Sequence, residues 1–247
     1  MPVPTFTLEP STSGARPMNP TLAAMRIGVA RRAIDKLTAS GVLETPVTEP
    51  AVDSLARRPL LQVASGELTV LRTDSRKPAG REDDRDVIGF GITDDDDLLT
   101  DTSLRWWRSE PERVVDNRLF AVTVGTIPVA VYEILLHRGT QSSGERQLRH
   151  RYGGTLLARL VPRGSAQGAQ RLLESDPGDA FEAITPVSEG EHPLLTGPGS
   201  TPASSAVGQI MRSRIVVDSG GPVGYLAPSR AASDQASGAL AASEGRR

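Results

Sequence analysis

The chain has 247 residues with 19 prolines, 24 glycines and an aromatic fraction of only 4%. That allows one large domain or two small ones and excludes a uniformly packed, all-core enzyme. A formal net charge of −2 excludes a global field drawing the protein to nucleic acid or anionic membrane, so any such contact must be local. The lack of cysteine excludes disulfides, thiol nucleophiles and cysteine-ligated metals.

The opening Met-Pro-Val-Pro-Thr-Phe has neither the charged nor the apolar region of a secretory signal, and no apolar run approaches the ~20 residues of a membrane span. A cytoplasmic protein without membrane contact is expected. Residues 1–19, with Pro2, Pro4, Pro10 and Pro17 among serines and threonines, read as a disordered arm.

A helical unit is predicted over residues 20–58. Leu22, Ala23 and Ala24 belong to a short first helix, and Gly28 is placed to take the positive φ of a tight interhelix turn. A second helix is expected over residues 30–40. Val29, Ala33, Ile34 and Leu37 recur on one face, Arg31, Arg32, Asp35 and Lys36 fall on the other, and Gly41 closes it. Thr48 is the expected cap of a third helix, with Pro50 in its first turn and Ala51, Val52, Leu55 and Ala56 as its apolar stripe. A small, buried first helix followed by a basic, exposed second one suits major-groove reading.

Ala23-Ala24, Ile27-Gly28-Val29, Arg31, Ile34, Leu37 and Gly41-Val42-Leu43 resemble the excisionase/MerR-like helix-turn-helix families. The resemblance covers residues 21–43 and implies double-stranded DNA as the partner. Arg26, Arg31, Arg32, Asp35 and Lys36 are then the candidate DNA-binding residues. Arg31 and Arg32 lie where base edges are reached, and Lys36 where phosphate is. One departure matters: those families place a β-hairpin wing directly after Gly-x-Leu, and Glu44-Thr45-Pro46-Val47 is too short for one. The competing reading is an αα-hairpin that only packs on the rest of the chain.

A β-rich region is predicted over residues 60–227. It begins with a hairpin, 60–63 and 67–72 around Ala64-Ser65-Gly66, which would be a displaced wing or the first two strands of a second domain. A charged loop over 74–86 and a short strand over 87–92 follow. Thr93 is the expected cap of a helix running to Trp107 or Arg108, with Leu98, Leu99, Thr102 and Trp106 as its inner face. The clearest strands are 118–124 and 127–134, joined at Gly125-Thr126, with Pro128 at an edge or bulge. Residues 149–152 lead into another strand at 154–161. The segment 162–203 reads as a long loop with one helical turn near 169–173. A short helix at 205–212 is followed by strands 214–218 and 223–226, expected to pair with each other. Residues 228–247 read as a disordered tail.

Candidate chemistry is sparse. Asp94–Asp97 lacks the alternating spacing of an EF-hand and suits the positive end of a helix dipole. Trp106 reads as a core anchor and Trp107 as half exposed. With Arg149 and Arg151, Trp107 forms the candidate set for base stacking or phosphate contact. Arg146 and His150 extend that basic edge. His137, His150 and His192 are spread along the chain without metal-ligand spacing, so no metal site is expected. No Gly-x-Ser-x-Gly or catalytic order of Ser, His and Asp is present, and neither catalytic residues nor a cofactor are expected.

The expected fold is α+β: an N-terminal helix-turn-helix followed by an antiparallel, barrel-like β domain with two inserted helices. The β domain has a loose similarity to small barrels of the PUA/EVE kind, resting on its long hairpins and loops. The expected function is DNA binding by a transcriptional regulator or accessory factor. The β domain would serve oligomerisation, such as a homodimer, or bind a small ligand or partner. The alternative is a β-barrel that binds RNA, a modified base or a small ligand, with the helices only structural.

Overall fold

The structure, a computed structural model, describes residues 16–80, 83–142, 148–161, 182–184, 206–217 and 223–227. Residues 1–15 of the expected arm over 1–19, the helical turn near 169–173 and the tail at 228–247 lie outside the described residues, as do Arg146 and His192. The end of that arm is not disordered: Pro17 bridges to Thr48, and Met18 N donates to Val47 O at 2.8 Å.

Three short helices come first. Asn19 caps α1 (Pro20–Ile27) by accepting from Thr21 N at 2.8 Å, and Pro20 fills the first helical position, where a missing N–H costs nothing. Gly28 ends α1 at φ +76°, the left-handed turn expected there. The next helix, α2 (Arg31–Ala39), buries Ala33, Ile34 and Leu37 and turns Arg31, Arg32 and Asp35 outward. Gly41 follows at φ +80°. Thr48 stands at the N-cap of α3 (Glu49–Arg57) without a side-chain bond, and Val52 and Leu55 face inward.

The main sheet contains β1 (Leu68–Thr73), β4 (Arg105–Trp107), β5 (Leu119–Val124), β6 (Ile127–Ser142), β7 (Leu148–Val161), β8 (Glu182–Ile184) and β9 (Val223–Leu226). Their order is β4-β7-β6-β5-β1-β9, with β8 also on β7, and the sheet is curled into a half-barrel. All neighbours are antiparallel except β1 and β5, which run parallel, so the sheet is mixed rather than purely antiparallel. A small ribbon pairs β2 (Lys77–Pro78) with β3 (Val87–Ile88). Helices α4 (Asp96–Ser103), α5 (Pro111–Asn117) and α6 (Ala206–Met211) complete the described elements. The proximal half of β6, Ile127–Ile134, is buried at every position, as expected of a strand covered on both faces. Ile27, Leu37 and Leu55 of the helices share one apolar cluster with Leu71, Phe120 and Val131 of the sheet.

Several expected elements differ. Residues 60–63 form no hairpin with β1: Leu60 bridges to Arg214, and both edges of β1 are occupied by β5 and β9. Among the described residues, 214–217 form no ladder with 223–226: Arg214 bridges Leu60, and β9 pairs with β1. The strand over 87–92 shrinks to two residues, after which Phe90 and Ile92 turn into the core. Asp95, not Thr93, caps α4 by accepting from Leu98 N at 2.7 Å, and the helix stops at Ser103. Trp106 is consequently on a strand and outside the core. Its indole N–H donates to Asp84 Oδ1 at 2.9 Å, while Leu104 is the buried residue. Helix α5 was not anticipated. The hairpin at Gly125-Thr126 stands as expected, with a register shift between Val122 and Thr123 opposite Pro128.

Long-range polar contacts hold the distant segments together. Arg214 donates through Nε to Arg58 O at 3.0 Å and through Nη1 to Ile27 O, and Arg58 donates to Met211 O at 3.1 Å. Arg113 makes a two-point contact with Glu67 at 2.8 Å and lies 4.0 Å from the Tyr225 ring centroid, joining α5 to β9.

Asp83 accepts from Arg85 Nε and Nη2, each at 2.7 Å, and Arg85 in turn donates to Arg105 O, fixing the 83–86 loop to β4. Hydrogen bonds from Arg85 hold the Asp83 carboxyl below its usual range. A depressed folded-state value contributes stability above the unfolded value of about 3.9, and the contribution is lost as pH falls through the folded value. Asp83→Asn is expected to lower the urea midpoint relative to the parent near neutral pH. The gap should close in acid.

Candidate nucleic-acid interface

An open cleft of about 520 Å³ runs beside the first turns of α2. Arg32 and Lys36 form the helix wall, and Arg72, Thr73, Asp74 and Thr126 the opposite one. The β5–β6 turn sets its depth. Gly125, at φ +62°, comes so close to α2 that a Cβ there would lie 3.5 Å from the Ala33 side chain. The start of α2 has no side-chain cap: Ala30 occupies the N-cap and offers none. Backbone N–H groups with their partial positive charge are left at that end of the cleft.

The expected DNA-binding residues do not share one fate. Arg26 is drawn away from α2, onto Glu49 at 2.8 Å and Asp53 at 2.6 Å of α3. Arg31 is paired with Asp35 one turn on, at 2.5 Å. Lys36 reaches across the cleft to Asp74. Arg32 is exposed and makes no ion pair or hydrogen bond with a described residue. Sequence reasoning missed Arg72 and Asp74. Arg72 lies near the end of β1 and Asp74 just after it, and nothing in the local pattern brings them to α2.

Trp107, Arg149 and Arg151 lie at the other side of the sheet. Trp107 packs partly against the core and donates its indole N–H to Ser103 O at 2.7 Å, and the Arg85 guanidinium lies 6.0 Å from its ring. Arg151 faces Arg105 in the β4–β7 pair, and Arg149 is half-buried. Asp94–Asp97 disperse to separate tasks. Asp94 is buried, accepts from Gly91 N and pairs with Arg76. Asp95 caps α4, and Asp96 pairs with Arg159.

The chain finds no match among protein-family models, curated proteins or solved structures. No helix among the described residues is long and apolar enough to cross a membrane.

Proposed function

We propose that the protein binds double-stranded DNA, with the outer face of α2 against the duplex and the cleft beside it as a seat for backbone phosphate. The observation that supports this reading is the local charge. Arg32, Lys36 and Arg72 line an open groove against a single carboxylate, Asp74, on a chain that is otherwise slightly acidic. Phosphate contacts by such cations release counterions and supply most of the affinity. An open groove suits a continuous backbone better than an enclosed small molecule, and the uncapped N–H groups of α2 add to its positive potential. Arg32 has no ion pair with a described residue to break, and its fork matches guanine O6 and N7. Arg26, tied to α3, positions α1 rather than touching DNA.

One copy offers few phosphate contacts, so useful affinity calls for a homodimer on two half-sites about one helical turn apart. A mobility-shift titration across salt concentrations tests the reading. Arg32→Ala is expected to weaken binding by roughly 1–3 kcal/mol and relax sequence preference, and Lys36→Ala to weaken all sequences alike. Asp74→Asn is expected to tighten binding, because it frees Lys36 and removes the one carboxylate of the cleft. Absence of any shift at low salt, or an Arg31/Arg32 double alanine variant that binds as the parent does, sinks the assignment.

A further inference from the structure

Two of the three histidines, thirteen positions apart, meet on one face of the β6–β7 hairpin. In register, His137 lies opposite Tyr152 and Thr140 opposite His150. In a regular strand, positions three apart point to opposite faces. Here a bulge between His137 and Gly139 inserts one extra residue on β6 and returns Thr140 to the face of His137. His150 and Tyr152, two apart on β7, share that face. Arg149 and Arg151 alternate onto the other. The extra residue, Arg138, lies against Gly153.

The result is a triangle of donor atoms. His137 Nε2 and His150 Nδ1 are 3.1 Å apart, and Thr140 Oγ1 is 3.3 Å from the second and 3.5 Å from the first. A metal held at about 2.0–2.1 Å from imidazole nitrogens spaces neighbouring donors by about 2.9–3.4 Å, between octahedral and tetrahedral angles. Two edges of the triangle, 3.1 and 3.3 Å, fall within that span, and the third, at 3.5 Å, is just beyond it. Tyr152 forms its floor, with its ring 5.8 Å from that of His137 and its hydroxyl 2.5 Å from Ser109 Oγ. His150 is buried, and His137 opens the other side to solvent, where water would fill the remaining positions.

We propose that His137 and His150, with the Thr140 hydroxyl completing the face, bind a divalent transition-metal ion of the kind imidazole favours, such as Zn²⁺, and so clamp β6 to β7. Without metal, the 3.1 Å contact between the rings is a hydrogen bond with a proton on one of the facing nitrogens. Binding moves that proton to the ring's far nitrogen, a tautomer change that a structural hydrogen bond between the rings does not require. No group of three or more His, Asp or Glu gathers here among the described residues, which sets affinity well below that of a four-ligand structural site.

The test is a titration of the full chain with ZnCl₂, followed by calorimetry and by imidazole ¹⁵N shifts. One equivalent is expected to bind, with metal-type shifts at His137 Nε2 and His150 Nδ1. Either His137→Ala or His150→Gln should weaken binding roughly tenfold or more. His192→Ala serves as the control and should leave binding unchanged. Because His137 is exposed, His137→Ala is expected to melt like the parent in the absence of zinc, separating ligand loss from misfolding. The assignment is overturned if His137→Ala binds zinc as the parent does, if His192→Ala abolishes binding, or if the parent shows none below about 1 mM zinc.

Discussion

Phe120→Ala is expected to cost about 3–5 kcal/mol. Phe120 is fully buried at the middle of the sheet, where its register partners are Tyr132 on β6 and Thr69 on β1. Its ring packs at a tilt on Tyr152, with the centroids 6.5 Å apart. Truncation to Ala removes the transfer energy of a benzyl group and leaves a cavity that two hydrogen-bonded neighbours prevent from closing. A domain of this size is typically stable by only about 5–15 kcal/mol, so the variant should lose much of its urea resistance at an unchanged slope. Phe120→Leu keeps most of the volume and should cost far less. An alanine variant with the parent's midpoint would show that the ring is not in a packed interior.

Arg159 is the second such site, for electrostatic rather than packing reasons. It lies on β7 with only 4% exposure and reaches into the segment before α4. It donates to Ile92 O at 3.2 Å, to Asp94 O, and to Asp96 Oδ1 at 2.7 Å. Arg159→Met would leave those buried carbonyls without their donor, and about 3 kcal/mol of destabilisation is expected. Lysine has one charged point where three acceptors diverge, so Arg159→Lys should rescue little. Asp96→Asn should cost much less than either, since the Asp96 side chain is 47% exposed and water screens the pair from that side. Equal losses for Asp96→Asn and Arg159→Met would contradict this division, and chemical denaturation of the three variants measures it.

Local signals in the sequence predict what local physics decides. The apolar face of Ala33, Ile34 and Leu37 and the positive φ of Gly28 needed only the helix period and the lack of a Cβ. The turn at Gly125-Thr126 needed only two apolar runs around a glycine. Pairings that depend on distant segments were not legible. Leu60–Val63 looks like a strand, but the edge of β1 that it would have filled is taken by residues far along the chain. Trp106 has the right spacing to continue the inner face of α4. The helix ends first, and the residue passes to β4, where Asp84 holds its indole outside the core. Helix α5 has only Val114 and Val115 to announce it, too few for a periodic signal.

The candidate sites divide in the same way. Arg32 and Lys36 follow from the polar face of α2. Lys36's partner Asp74, and Arg72 opposite, come from the end of β1, and no local pattern marks them. The meeting of His137 with His150 depends on a single extra residue in β6. A sequence of alternating positions hides that insertion, because it appears only when the two strands are laid in register.

The parallel pairing of β1 with β5 also dictates the order in which this protein can assemble. A hairpin such as β5–β6 closes within a few residues, but β1 must wait through a long crossover for one neighbour and until Val223–Leu226 for the other. Such distant closures carry a high entropic cost before any contact repays it, and they slow folding. Until β9 arrives, one side of β1 presents bare N–H and C=O groups beside the apolar side chains of Leu68, Val70 and Leu71. An unpaired strand of that kind can recruit another chain. The nascent protein is therefore most vulnerable to self-association after its central hairpin has formed and before β9 has docked.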